Sequence, residues 1–202
     1  MSKATPIFAL ADDPALVEAL IEGNPAAKAV FFDRYADHVE RILVRILGPD
    51  RELADLLHEV FSRSLAAIAT LADPSALRGW VTGITVLTAR ECIRRRSRGR
   101  WLRFFASEDL PDVEATVADE DVREALRVTY RVLDGLTVDE RIVFALRFIE
   151  GLELAAVAAA CRVSLNTARR RLARAESRFV ALARREPALG RWLEGGTRWK
   201  RE

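Results

Sequence analysis

The sequence predicts an all-α chain, two small helical domains joined by an acidic linker. Three observations carry that prediction. Apolar residues recur at helical spacing over most of the 202 residues. Start and stop signals bracket those runs: cap residues before, Gly and Pro after. Between them the composition shifts to a Pro-containing run of acids, which divides the helical material in two. The expected boundaries are a first domain over 12–100, a linker over 101–121, a second domain over 122–185 and a C-terminal extension over 186–202.

Residues 1–13 read as a loose arm. Asp13 caps a first short helix, with Pro14 at its first position, running to Glu22. Gly23-Asn24-Pro25 breaks it. From Ala26 to Leu47, Ala29, Val30, Phe32, Tyr35, Val39, Ile42, Leu43 and Ile46 keep helical period, and Gly48-Pro49 ends the run. A third helix is expected from Arg51 to Ala69 and a fourth from Ser75 to Arg96, with a loop through Asp73-Pro74 between them. The fourth ends in Arg94-Arg95-Arg96, cations that suit a helix C-terminus. Acids gather from Glu108 to Asp121 around Pro111. An amphipathic helix follows over 119–133 and stops at Asp134-Gly135. Thr137 with Glu140 three residues on forms a capping box, opening a helix through Ile149.

The stretch from Gly151 to Ala183 is the most informative. A short helix from about Glu153 to Ala160 has small residues, so another helix can approach it closely. Arg162 stands where many such turns place Gly, which implies strain or an altered turn. Ser164 is a good N-cap for the next helix. Leu165, Ala168, Leu172, Ala175 and Phe179 make one apolar face, and Arg169, Arg170, Arg171, Arg174 and Arg178 fill the rest. This is the order of a helix-turn-helix, whose second helix puts its N-terminal residues at base edges in the major groove. Asn166 and Thr167 are placed for base edges, and the arginines suit phosphate or guanine.

Formal net charge is only +2, but charge is segregated. Lysine occurs only at Lys3, Lys28 and Lys200, and arginines cluster after Cys92 and after Thr167. Cys92 and Cys161 lie far apart and read as small buried hydrophobes rather than a disulfide framework. The first residues do not form a signal peptide, and no run approaches the roughly 20 apolar residues of a membrane span. A cytoplasmic protein with no membrane insertion is expected. His38 and His58 stand alone, no Cys/His spacing suits a metal, and no glycine-rich phosphate loop is present. These features argue against an enzyme and imply no cofactor.

Two separated signals then resemble one family. Leu136-Thr137-Val138-Asp139-Glu140-Arg141, Phe144 to Leu152, and Val163-Ser164-Leu165-Asn166-Thr167-Ala168-Arg169-Arg170-Arg171-Leu172 resemble region 4 of bacterial sigma factors of the extracytoplasmic-function (ECF) type. Asp55-Leu56-Leu57-His58-Glu59-Val60-Phe61 and Leu77-Arg78-Gly79-Trp80-Val81 resemble their region 2. The resemblance implies that Asp55, Leu56, His58, Glu59 and Phe61 meet the clamp helices of the polymerase largest subunit. It implies that the loop from Thr70 to Ala76 holds a base extruded from the −10 element, and that Trp80, Arg90, Arg94, Arg95 and Arg96 serve promoter melting. Ser164, Asn166, Thr167, Arg169, Arg170, Arg171 and Arg174 would read the −35 element. Further implied partners are the flap of the second-largest subunit and an anti-sigma protein, with the acidic linker threading through polymerase. Six residues, at three places, depart from the family pattern. Val86 and Leu87 stand where an Arg-Asn pair is usual, His58 replaces a common Gln, and Leu154-Ala155-Ala156 replaces Tyr-Glu-Glu. Two alternatives stay open: a helix-turn-helix regulator that does not engage polymerase, and a sigma-like protein that melts promoters poorly.

Overall fold

A computed structural model of the chain describes residues 12–102 and 120–189, with side chains described over 12–97 and 123–189. Every regular element among these residues is helical. The first unit holds α1 (Asp13–Ile21), α2 (Pro25–Leu47), α3 (Leu53–Ala67) and α4 (Leu77–Leu102). The second holds α5 (Glu120–Asp134), α6 (Val138–Phe144), α7 (Leu154–Ala160) and α8 (Leu165–Ala183).

Caps set most of the starts. Asp12, not Asp13, caps α1, its carboxylate accepting from the Ala15 amide at 2.9 Å. That one-residue shift leaves Asp13 to accept from the Tyr35 hydroxyl at 2.7 Å and to pair with Arg34 at 3.0 Å, tying α1 to α2. Asn24 caps α2, and Gly48, at φ +84°, ends it. Leu16, Phe31, Ile42, Val60, Leu77 and Val81 fill the space between the four helices. Phe31 and Phe32 meet the Phe61 ring at centroid distances of 5.1 and 4.7 Å. The expected third helix breaks after Ala67 into a 3₁₀ turn, Ile68–Thr70, and a second such turn, Pro74–Ala76, leads into α4.

In the second unit, Thr137 and Glu140 form the capping box expected from the sequence. The helix after it does not stay α-helical to Ile149. It widens into a π segment, Ala145–Ile149, where the Glu150 amide donates to the Ala145 carbonyl. Gly151, at φ +83°, then turns the chain into α7. Phe144 stacks on Phe179 at 4.4 Å, joining α6 to α8.

The two units pack against each other. From Val81 to Val86, α4 is buried on all sides, with α2 and α3 against one side and α6 and α7 against the other. The small residues of α7 do admit a close neighbour, and that neighbour is α4. A Cβ added to Gly83 would lie 3.8 Å from the Ala160 carbonyl oxygen. Cys92 and Cys161 are both buried, and burial pushes the Cys161 thiol up to about 11.

His38 lies buried between α2 and α4, and its hydrogen bonds fix its tautomer. The Thr82 hydroxyl spends its proton on the Arg78 carbonyl at 2.8 Å. His38 Nε2 therefore carries hydrogen and donates to Thr82 at 2.8 Å. Its Nδ1 accepts from Arg41 at 3.1 Å and from Arg78 at 3.3 Å. Burial, then the Arg78 and Arg41 charges, hold the imidazole down at about 4, against an ordinary 6.5. Between those two values the unfolded chain binds a proton that the native ring refuses. Stability should therefore fall as pH drops from 6.5 to 4, by roughly 3 kcal/mol in all, and lose no more from this group below that. Urea titrations across that range check this, with His38→Gln expected to show a flatter pH profile.

Candidate polymerase and nucleic-acid interface

The α3 face is built from the spacing of Asp55 and Glu59. Four residues apart, they lie on the same side of the helix. Asp55 and His58 are exposed. Glu59 is half-buried and holds Arg63 at 2.6 Å, and Arg63 also bonds Glu91 of α4 at 2.5 Å. Leu56 and Phe61 do not join this surface. Both are buried in the core, so they hold α3 in place and cannot meet a partner directly.

Beyond α3, the loop from Thr70 to Ala76 exposes Thr70, Ala72, Asp73, Ser75 and Ala76. Its shape is set by Asp73, whose carboxylate accepts from the Ser75 amide at 2.9 Å and the Ser75 hydroxyl at 2.7 Å. Those bonds hold the Asp73 carboxyl below the usual range.

The basic end of α4 is less available than its sequence implies. Arg96 pairs with Asp50 and, at 3.1 Å, with Glu52. Arg95 reaches Glu52 at 2.8 Å, and these bonds hold the Glu52 carboxyl low despite partial burial. Arg96 thus fastens the α2–α3 connection to α4, whereas Arg94 and Arg95 remain exposed. Trp80 is half-buried. Arg90 is turned toward the second unit, where its Nε lies 3.3 Å from Asp139.

In the helix-turn-helix, Arg162 adopts φ +54°. A non-glycine residue in that region costs about 1 kcal/mol. The turn is otherwise complete, because the Arg162 and Val163 amides donate to Ala159 and Ala158 at 3.0 Å each. Ser164 caps α8, accepting from the Thr167 amide at 3.2 Å, and its hydroxyl meets that of Thr167 at 2.9 Å. Ala168, Leu172, Ala175 and Phe179 are buried as the period requires, but Leu165 is 43% exposed. It stands at the first helical position and belongs to the outer surface. Asn166, Arg169, Arg170 and Arg174 are exposed along one side, with Arg169 donating to Asn166 at 3.1 Å. Arg171 differs from them. It is 27% exposed and pairs with Asp139 at 2.9 Å.

Residues 31–99 match the family model of sigma-70 region 2, and residues 126–179 match that of sigma-70 region 4. The ECF RNA polymerase sigma factor SigC of Mycobacterium tuberculosis is 31% identical over 177 residues, covering 87% of this chain and 94% of that protein. The chain belongs to the ECF sigma factor family. SigX of Bacillus subtilis, another ECF sigma factor, is 32% identical over 145 residues, 67% of this chain and 72% of that one. The fold of this ECF sigma factor is similar to that of CnrH, solved in complex with the cytosolic domain of CnrY, at a TM-score of 0.60, with 20% identity and coverage of 86% and 98% of the two chains. The sigma factor RpoE of Bartonella quintana, solved with the anti-sigma factor NepR, is similar at 0.56, with 18% identity and coverage of 78% and 97%. Among the described residues no helix is long and apolar enough to cross a membrane.

Sequence reasoning passed over Arg141, Tyr130, Glu150 and Asp139 as site residues. Arg141 is buried, and it donates to the Ile46 and Leu47 carbonyls at 2.8 and 2.9 Å and pairs with Asp134. The Tyr130 hydroxyl donates to the Val44 carbonyl at 2.9 Å. Glu150 lies 3.0 Å from Arg41 and 3.8 Å from Arg45. The signal that was available was an Arg directly before the apolar run Ile142 to Leu146.

Exposure separates two neighbouring arginines of α8. Arg174→Ala should weaken promoter duplex binding and lower the slope of log K against log salt by about one unit, as one lost phosphate contact does. Arg171→Ala should change that slope less, because Asp139 already competes for its guanidinium. Filter binding or anisotropy over a salt series measures both.

Proposed function

We propose that this ECF sigma factor docks polymerase core through the exposed face of α3, reads the −35 element with α8, and opens the −10 element with the loop from Thr70 to Ala76 and α4. On this reading residues 12–100 form the core-binding and melting domain, residues 122–185 the −35-reading domain, residues 101–121 the linker and residues 186–202 an extension. The protein is non-catalytic, acts in the cytoplasm and confers promoter choice on core. Asp55, His58 and Glu59 offer acid and hydrogen-bonding groups to the clamp helices. Asn166 and Thr167 lie at the N-terminal end of α8, where a groove-reading helix meets base edges. Arg169, Arg170 and Arg174 flank them for phosphate or guanine. An anti-sigma protein is a further partner, as it is for RpoE of Bartonella quintana, whose fold this chain shares.

The observation that carries the reading is the presence of both region matches in one chain, in family order, each with polar partner-facing side chains exposed. A regulator that ignores polymerase has no use for the region 2 match. The test is run-off transcription with purified core on a fragment carrying this protein's promoter. Asp55→Arg should weaken core association at least about tenfold, since it places like charges together at the contact. Binding of the isolated −35 duplex should be unchanged. Core binding that survives the substitution would move the docking surface elsewhere.

A further inference from the structure

We propose that Leu165, Asn166 and Arg169 form one reading unit at the start of α8 that selects a thymine in the −35 element, with Leu165 against the thymine methyl group and the Asn166 amide on its O4. The inference rests on the proposed reading of that element by α8, and adds which base the first turn accepts.

Helical spacing assembles the unit. Arg169 follows Leu165 by four residues and Asn166 by three, so the three side chains are neighbours on the surface of α8. All three are exposed. For Leu165 that exposure is unusual. Among the described residues the large apolar side chains that stand exposed are Ile21, Leu126 and Leu165, and of these Leu165 is the one on α8. Leu172, Ala175 and Phe179 of the same helix enter the core, and Leu165 takes no part in it. The start of the helix asks nothing of Leu165 either, because Ser164 supplies the cap. An apolar side chain set among groove-reading polar groups suits an apolar group on a base edge. In the major groove that group is the C5 methyl of thymine.

Hydrogen bonding fixes what Asn166 can offer. Arg169 Nη1 donates to Asn166 Oδ1 at 3.1 Å. A guanidinium only donates, so the amide turns its oxygen toward Arg169 and carries its two N–H groups on the other side. An asparagine that reads adenine accepts from the N6 amino group while it donates to N7. Here the guanidinium stands at the acceptor, and its N–H groups oppose an incoming amino group. Asn166 is thereby left as a donor, for a base edge that accepts. Guanine accepts at O6 and N7 but has no methyl group, whereas thymine accepts at O4 beside its methyl. Leu165 decides between the two in favour of thymine.

The test uses the full chain bound to polymerase core, with a pool of promoter fragments randomised across the −35 element as probe. In the best-bound fragment each thymine of that element is replaced in turn by uracil, which lacks only the methyl group. One position should lose about fourfold in affinity, the contribution of one methyl group withdrawn from water. Leu165→Ala should bind the thymine and uracil forms alike and keep its helical circular dichroism, since this side chain lies outside the core. At the same position 5-methylcytosine, paired with guanine, keeps the methyl group and puts an amino group where O4 was. Wild type should bind that fragment about tenfold more weakly or worse. Asn166→Asp, which can only accept, should reverse the order and prefer 5-methylcytosine. The proposal is overturned by a wild type that selects no thymine or binds thymine and uracil alike. It is overturned equally by a uracil penalty that survives in Leu165→Ala, or by an Asn166→Asp that still prefers thymine. A core complex that selects no −35 sequence at all overturns the reading of that element by α8 instead.

Discussion

The structure depends on how the C-terminal end of α2 is finished. A helix leaves its last carbonyls without intrahelical donors, and burying them unpaired is costly. Here the donors come from about 90 residues away in the chain. Arg141 takes the Ile46 and Leu47 carbonyls with two arms of its guanidinium and gives a third to Asp134. Tyr130 takes the Val44 carbonyl, which the Gly48 amide also uses. The positive charge lies where the α2 dipole is negative, so pairing and dipole both offset the desolvation of Arg141. Tyr130 needs room to reach that end. A side chain at residue 48 would meet its ring at 3.0 Å, and the φ of +84° there suits glycine. One helix terminus thus sets the seat of the second unit.

That seat sorts the surface into open and covered parts. With α2 ended this way, the π segment brings Glu150 to Arg41 and Arg45, and α7 lies across Gly83. The wider π turn matters here, because it delivers the chain to Gly151 with Glu150 still facing α2. The N-terminal half of α8 points away from the seat, and its polar end stays in solvent. The same docking therefore leaves the polar groups at the start of α8 exposed.

Local signals were legible and long-range ones were not. Period and caps placed the helices, since both are set by neighbours within four residues: Thr137 with Glu140, and Ser164 before α8, are as the sequence implies. The cap of α1 moved to Asp12 because Tyr35, 22 residues on, claims Asp13. For the candidate site, residue type identified the acidic α3 face and the basic α8 face. It could not separate Leu56 and Phe61, which serve the core, from Asp55 and His58 beside them. Nor could it tell Arg171 and Arg96, already held by carboxylates, from the exposed Arg174. Those distinctions arise from pairing between segments, and no spacing along the chain encodes it. Arg141 shows the limit most clearly: its partners are backbone carbonyls, which every residue carries.

The heavy use of arginine links these two levels. A guanidinium presents the same planar fork to a carboxylate, a carbonyl pair or a phosphate, so one residue type can serve folding and recognition alike. Asp139 joins the two units, because it holds Arg90 of the first unit and Arg171 of α8 at once. The small net charge of +2 fits that arrangement. Acids lie within reach of many arginines, so contact with nucleic acid is an exchange of partners rather than the neutralisation of a bare basic surface.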